Sequence, residues 1–167
     1  RIGDDAIDND IALIKKTGAE FVMGKEAPDV KELKAMGFDY IVLACGAEKK
    51  GRLNIEGNVM NVIDFLYAFK NGGELKLGRN VAVVGGGNTA MDAARAAKRA
   101  EGVEKVTLVY RRNRRYMPAD LEELELAIED GVEFMELASP VKQADGKLVC
   151  NKMKLGDKDA SGRRVPV

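Results

Sequence analysis

The stretch Val81-Ala-Val-Val-Gly-Gly-Gly-Asn-Thr-Ala90, running on into Met91-Asp-Ala-Ala-Arg-Ala-Ala-Lys-Arg-Ala100, constrains this chain more than any other. Four small or β-branched apolar residues predict a buried parallel strand, three glycines a tight turn, and the alanine-rich run a helix. Gly85 to Ala90 has the spacing G-x-G-x-x-A. Gly85 and Gly87 are expected to take backbone angles that a Cβ forbids and to let a diphosphate reach the main chain. Ala90 would hold the helix close to the sheet. The first helical turn, at Asn88 and Thr89, presents unpaired N–H groups and the positive end of the helix dipole, which suit an anion.

The surroundings strengthen this reading. Val106-Thr-Leu-Val-Tyr110 predicts a second parallel strand after a right-handed crossover, completing a β-α-β unit of the expected ~30 residues. The competing reading is a domain of the same topology with an empty turn. The end of the second strand distinguishes the dinucleotides. A carboxylate there accepts hydrogen bonds from the ribose 2′-hydroxyl of NAD, whereas a cation suits the 2′-phosphate of NADP. This strand runs into Arg111-Arg112, and guanidiniums grip phosphate through charge-assisted, often bidentate bonds. NADPH is therefore expected over NADH; the alternative is a solvated arginine pair at a strand exit.

Composition removes other classes. The chain has 27 basic and 27 acidic side chains, so no global field points to nucleic acid or a membrane surface. Arg111, Arg112, Arg114 and Arg115 are a local basic cluster, but Asp120, Glu122, Glu123, Glu125, Glu129 and Asp130 follow at once and blunt it for a polyphosphate backbone. With no long apolar run and a charged opening at Arg1 to Asp5, no membrane span or signal peptide is expected, and the reading is cytoplasmic. Cys45 and Cys150 form no C-x-x-C pair, which argues against a zinc site, an iron–sulfur site and a dithiol reductase. The chain has no histidine, so the commonest general base is missing. No catalytic or metal-ligating residue is assigned. Any chemistry is left to a cofactor, with the protein supplying position and electrostatics.

Along the chain, Asp4 or Asp5 is expected to cap a helix carrying Ile7, Ile11 and Ile14 and ending at Gly18. Strands are expected at 19–23 and, buried, at 38–44, with a helix at 29–36 between them. A polar loop over 49–57 precedes a helix at 59–70 with Val62, Phe65, Leu66 and Phe69 as one apolar stripe, and 71–78 is a glycine-bearing linker. Beyond the β-α-β unit come a loop at 113–118, a helix at 119–130 with Leu121, Leu124 and Ile128 inward, and a third parallel strand at 132–137. A hairpin over 141–155 turns at Asp145-Gly146. Gly162 to Val167 is strand-like with no visible partner. Both ends suggest an internal segment of a longer protein.

Taken together, Val83 to Arg95, Val106-Thr-Leu-Val-Tyr-Arg-Arg112, Met117-Pro-Ala119 and Glu129-Asp-Gly-Val-Glu-Phe134 resemble the small, beta-type subunit of NADPH-dependent glutamate synthase and its relatives. Those relatives include the flavin and pyridine-nucleotide half of dihydropyrimidine dehydrogenase and selenate-reductase-type iron–sulfur subunits. The resemblance covers nearly the whole chain. It implies an α/β fold of pyridine nucleotide-disulfide oxidoreductase type, with a Rossmann-like parallel sheet, flanking helices and a small antiparallel β-meander. Residues 1–75 would be part of an FAD-binding domain, and 76–167 most of an NADPH-binding domain cut short at its C-terminus. Asp39-Tyr-Ile-Val-Leu-Ala-Cys-Gly-Ala47 is similar to the A-T-G stretch that nears the flavin, through Ala44 and Gly46, with Cys45 in place of threonine. Gly85, Gly86, Gly87, Asn88 and Thr89 would meet the pyrophosphate, Arg111 and Arg112 the 2′-phosphate, and Arg114 or Arg115 the adenosine side. Tyr116 has no counterpart.

The resemblance further implies hydride transfer from NADPH to FAD, and electron transfer on to iron–sulfur clusters bound elsewhere in the parent. A large catalytic subunit or fused acceptor domain would be the partner. The isolated fragment is expected to bind NADPH without turnover. A non-catalytic nucleotide-binding or assembly module of the same fold is the alternative.

Overall fold

The computed structural model describes residues 2–46, 51 and 53–167. Within the loop expected over 49–57, residues 49, 50 and 52 lie outside the described ones, as do Arg1 of the opening and Ala47 of the flavin-approach stretch. The chain divides into two compact units, Arg1–Ala47 and Glu48–Val167.

The first unit holds α1 (Asp4–Lys16) and α2 (Val30–Ala35), neither with a buried residue. Gly3, not an aspartate, is the N-cap of α1. Asp4 and Asp5 sit instead in its first turn, where their charge favours the helix dipole without a capping bond. In α2 the Asp29 carboxylate accepts from the N–H groups of Lys31 and Glu32, and the Glu32 carboxylate accepts from the Asp29 N–H, a complete capping box. The strands expected at 19–23 and 38–44 do not form. Both stretches lack ladder bonds, and Tyr40 and Val42 are 91% and 87% exposed. An apolar run becomes a buried strand only beside another strand, and none is found among the described residues of this unit.

The second unit is built on β1 (Asn80–Val84), β2 (Lys105–Tyr110) and β3 (Glu133–Glu136), a parallel sheet in that order. Its helices are α3 (Val62–Lys70), α4 (Asn88–Lys98) and α5 (Leu121–Glu129). Val106 and Leu108, two residues apart and so on one face of β2, are fully buried in a cluster with Met91 of α4 and Phe65 of α3. Helix α4 buries Met91 and five alanines, Ala90, Ala93, Ala94, Ala96 and Ala97, whose small side chains let β1, β2, α3 and α5 all pack closely on it. Of the stripe expected on α3, Phe65 is buried and Val62 and Leu66 pack on the core, while Phe69 stays partly exposed with its ring 6.1 Å from that of Phe65. On α5 the inward positions are Leu124 and Ala127; Leu121 and Ile128, expected inside, are 61% and 39% exposed.

Two antiparallel hairpins complete the unit. They are β4 (Ala138–Ala144) with β5 (Lys147–Lys152), and β6 (Leu155–Lys158) with β7 (Arg164–Pro166). The first turns at Asp145 and Gly146 with φ +49° and +69°, the pair of left-handed residues that a tight hairpin requires. The segment expected to lack a partner is therefore β7, paired with β6. Residues 56–58 are pinned to β4. The Gln143 N–H donates to the Glu56 carbonyl at 2.8 Å, and the Asn58 N–H donates to Gln143 Oε1 at 2.9 Å.

Candidate nucleotide-binding site

Register places Val84 of β1 beside Val109 of β2, and the Gly85 N–H extends the ladder by donating to the Val109 carbonyl at 3.1 Å. The chain then leaves the sheet edge through the glycines, each with a different role. Gly85 has φ +153°, and a Cβ there would stand 3.0 Å from Ala90 Cβ, so Gly85 and Ala90 together set how closely the helix approaches the turn. Gly86 lies against Tyr110, whose ring would come within 2.4 Å of an added Cβ. Gly87 has an unexceptional φ of −98° and open space on its Cβ side. The expectation that Gly87 needs a forbidden backbone angle is thus corrected; what it offers is room beside the start of α4.

Asn88 and Thr89, both exposed, form the first turn of α4, where N–H groups have no acceptor within the helix. The Asn88 side chain is already engaged. Its Nδ2 donates to Asp120 Oδ2, and its Oδ1 accepts from the Asp120 N–H, both at 3.0 Å. The Ala119 N–H donates to the Gly86 carbonyl at 2.9 Å, so the turn is braced by the start of α5. Behind them Arg95 of α4 reaches Asp130 at 2.7 Å, joined by Arg99 at 2.6 Å. The Arg95 bond, with that of Arg99, holds the Asp130 carboxyl below its ordinary range against the opposing effect of burial.

The two arginines of the expected phosphate pair part company. Arg111 is exposed and forms no ion pair with a described residue. Arg112 is buried at 8% exposure; its Nε donates to the Arg164 carbonyl at 2.9 Å and its Nη2 lies 3.4 Å from Asp159 Oδ2. Asp159 accepts from the Ser161 hydroxyl, which lowers its pKa most, and from the N–H groups of Ser161 and Arg163. A cavity of about 370 Å³ opens at this edge, lined by Gly85, Gly86, Arg111, Arg112, Ser139 and Arg163 among others, with no carboxylate among the described residues of its wall. Ligands of open α/β sheets lie at these carboxyl ends. Of the turn, Gly85 and Gly86 line that space, whereas Gly87, Asn88 and Thr89 do not, and the arginines around it are cationic, which fits a phosphorylated nucleotide.

Arg114 and Arg115, in a 3-10 turn, do not line this cavity; the Arg114 N–H donates to Glu136 Oε2 at 3.0 Å. Ala44 and Gly46 belong to the first unit and are exposed, Gly46 with φ +74° and open space on its Cβ side. Tyr110 escaped the sequence reading. Its hydroxyl donates to the Tyr116 carbonyl at 2.7 Å and its ring supports Gly86, the connection that gives Tyr116 a place. An aromatic residue closing a strand beside a glycine triplet was the available signal. Arg163 carried none, because its approach depends on the second hairpin.

A glycine turn, a helix start and a cation at the carboxyl edge of a parallel sheet define a Rossmann-like dinucleotide domain. The chain belongs to the pyridine nucleotide-disulphide oxidoreductase family, whose sequence model matches residues 5–165. It is 46% identical to YgfK of Escherichia coli K12 over its whole length, covering 17% of that protein. Over 96% of its length it is 40% identical to the NADPH-Fe(3+) oxidoreductase subunit beta of Geobacter sulfurreducens, covering 26% of it. It is also similar to the glutamate synthase [NADPH] small chain of Azospirillum brasilense, at 38% identity over 65% of this chain and 23% of that one. The chain thus spans about a quarter or less of each of these relatives. FprA from Mycobacterium tuberculosis shares the fold, with a TM-score of 0.64 at 20% identity over 83% of this chain and 48% of that one. No helix among the described residues is long and apolar enough to cross a membrane.

Proposed function

We propose that this chain is the NADPH-binding part of an oxidoreductase in which hydride passes from NADPH to FAD and electrons continue to iron–sulfur clusters, as in the small subunit of glutamate synthase. The observation that carries this reading is the cavity where the Gly85–Gly86 main chain and Arg111 meet at the carboxyl ends of β1 and β2. The open side of Gly87 and the N–H groups at Asn88 and Thr89 receive the diphosphate, and Arg111 receives the 2′-phosphate. Arg112, spent on the second hairpin, supports that edge. When bound, the reduced nicotinamide supplies the hydride. The residues here bind and orient, and none has to move a proton.

Residues 1–75 belong to the flavin domain, to which Ala44 and Gly46 contribute main chain, and 76–167 to the NADPH domain. A large catalytic subunit or fused acceptor domain takes the electrons, in the cytoplasm. The names of the Geobacter and Azospirillum relatives both specify NADPH, which supports the coenzyme choice.

Calorimetric titration of the polypeptide carrying these residues with NADPH and NADH tests the reading. NADPH should bind about ten- to a hundredfold more tightly, the worth of one good charge-assisted phosphate contact, and Arg111→Ala should erase most of that margin. Equal affinities in the unaltered protein would overturn it.

A further inference from the structure

We infer that Arg163, in the β6–β7 hairpin, is a second reader of the coenzyme's 2′-phosphate, and that Arg112 acts as the positioning residue that brings it there. The inference rests on the NADPH reading above and extends it to a residue far from the glycine turn.

Among the described residues that line the cavity are three arginines, Arg111, Arg112 and Arg163. They differ in what they have left to give. Arg112 is buried, its Nε given to the Arg164 carbonyl and its Nη2 facing Asp159. Truncating this buried guanidinium removes the donor to the Arg164 carbonyl and the cation beside Asp159 Oδ2, so its first duty is to hold the hairpin. Arg163 is exposed at the cavity wall. Its Nε donates to Ser161 Oγ at 2.9 Å, and its two terminal nitrogens donate to no described residue.

The connections form one chain of bonds. Arg112 meets Asp159 through Oδ2, the other oxygen of that carboxylate accepts from Ser161 and from the Arg163 N–H, and Ser161 Oγ accepts from Arg163 Nε. The backbone and the Nε of Arg163 are thereby fixed while its donor fork stays available. A phosphate monoester carries close to two negative charges near neutral pH, and two planar forks match its three oxygens better than one. With no carboxylate among the described residues of the cavity wall, none of them competes there for Arg111 or for the terminal nitrogens of Arg163. Preference for NADPH would then be assembled from a strand end and a hairpin 52 residues further along (163 minus 111).

The test measures NADPH, NADH, 2′,5′-ADP and 5′-AMP binding to the full-length polypeptide and to its Arg163→Ala, Arg163→Lys and Asp159→Asn variants. Arg163→Ala should weaken NADPH and 2′,5′-ADP about tenfold and leave NADH and 5′-AMP unchanged, with a shallower salt dependence. Arg163→Lys should recover part of the loss, because a point charge replaces the fork. Asp159→Asn should weaken the same two ligands, through displacement of Arg163. If Arg163→Ala leaves a clear preference for NADPH untouched, or lowers all four affinities alike, the inference fails while the NADPH reading stands. An unaltered protein that does not distinguish NADPH from NADH removes both.

Discussion

Asn88 and Asp120 are bonded to each other twice, side chain to side chain and side chain to backbone, each at 3.0 Å. Asp120 is the N-cap of α5 and makes no capping bond to its own helix, because its carboxylate is turned to Asn88 across the glycine turn. A local cap has been exchanged for a tertiary tie between the starts of two helices.

Breaking that tie should cost about 1 kcal/mol for Asn88→Ala, the usual net worth of an exposed hydrogen-bonded pair. Urea unfolding, with a lowered midpoint and unchanged slope, is the check. Asn88→Ala should also weaken NADPH and NADH equally, since the turn loosens for both.

Neighbouring glycines should answer differently to the same substitution. Gly86→Ala drives a methyl into the Tyr110 ring and should lose about 1–3 kcal/mol, as overpacked sites do. Gly87→Ala meets open space at an ordinary φ and should keep its stability within about 0.5 kcal/mol, while losing nucleotide affinity as the methyl occupies the ligand's side. Thermal unfolding with and without NADPH separates the two.

Met91 is fully buried on α4, the helix on which α3, α5, β1 and β2 pack. Met91→Ala should destabilise by about 2–5 kcal/mol, the range for a large side chain removed from a packed core. Unfolding monitored by circular dichroism would show it.

Acid should expose the Arg95–Asp130 link. Because the folded-state pKa of Asp130 lies below the unfolded value of 3.8, the link's stabilisation is present above that value and is lost as pH falls through the folded pKa. Urea midpoints from neutral pH downward should therefore fall more steeply for the unaltered protein than for Asp130→Asn below about pH 4.

What could be read from the chain in advance was local. The run from Val81 to Ala100 carries strand, turn and helix within twenty residues, and the observed β1, Gly85 turn and α4 follow it. The apolar stretch 38–44 has equal strand character and no ladder, since pairing depends on a neighbour that composition does not reveal. On α5, bulk pointed to Leu121 and Ile128, whereas the close crossing with α4 selects Ala127 for the interior. Arg112 was legible as a cation at a strand exit, but its partner Asp159 stands 47 residues away on a hairpin whose pairing was not visible beforehand.

That distance also bears on the order in which this pocket is completed. Closing a long intervening segment carries an entropic penalty that short-range contacts avoid, so the rim should dock after the parallel sheet has formed and detach before the sheet melts. Amides of Leu155–Lys158 and Arg164–Pro166 should then exchange with deuterium sooner than those of Lys105–Tyr110. A coenzyme that bridges rim and sheet would slow that exchange, coupling its occupancy to the order of a distant edge of the molecule.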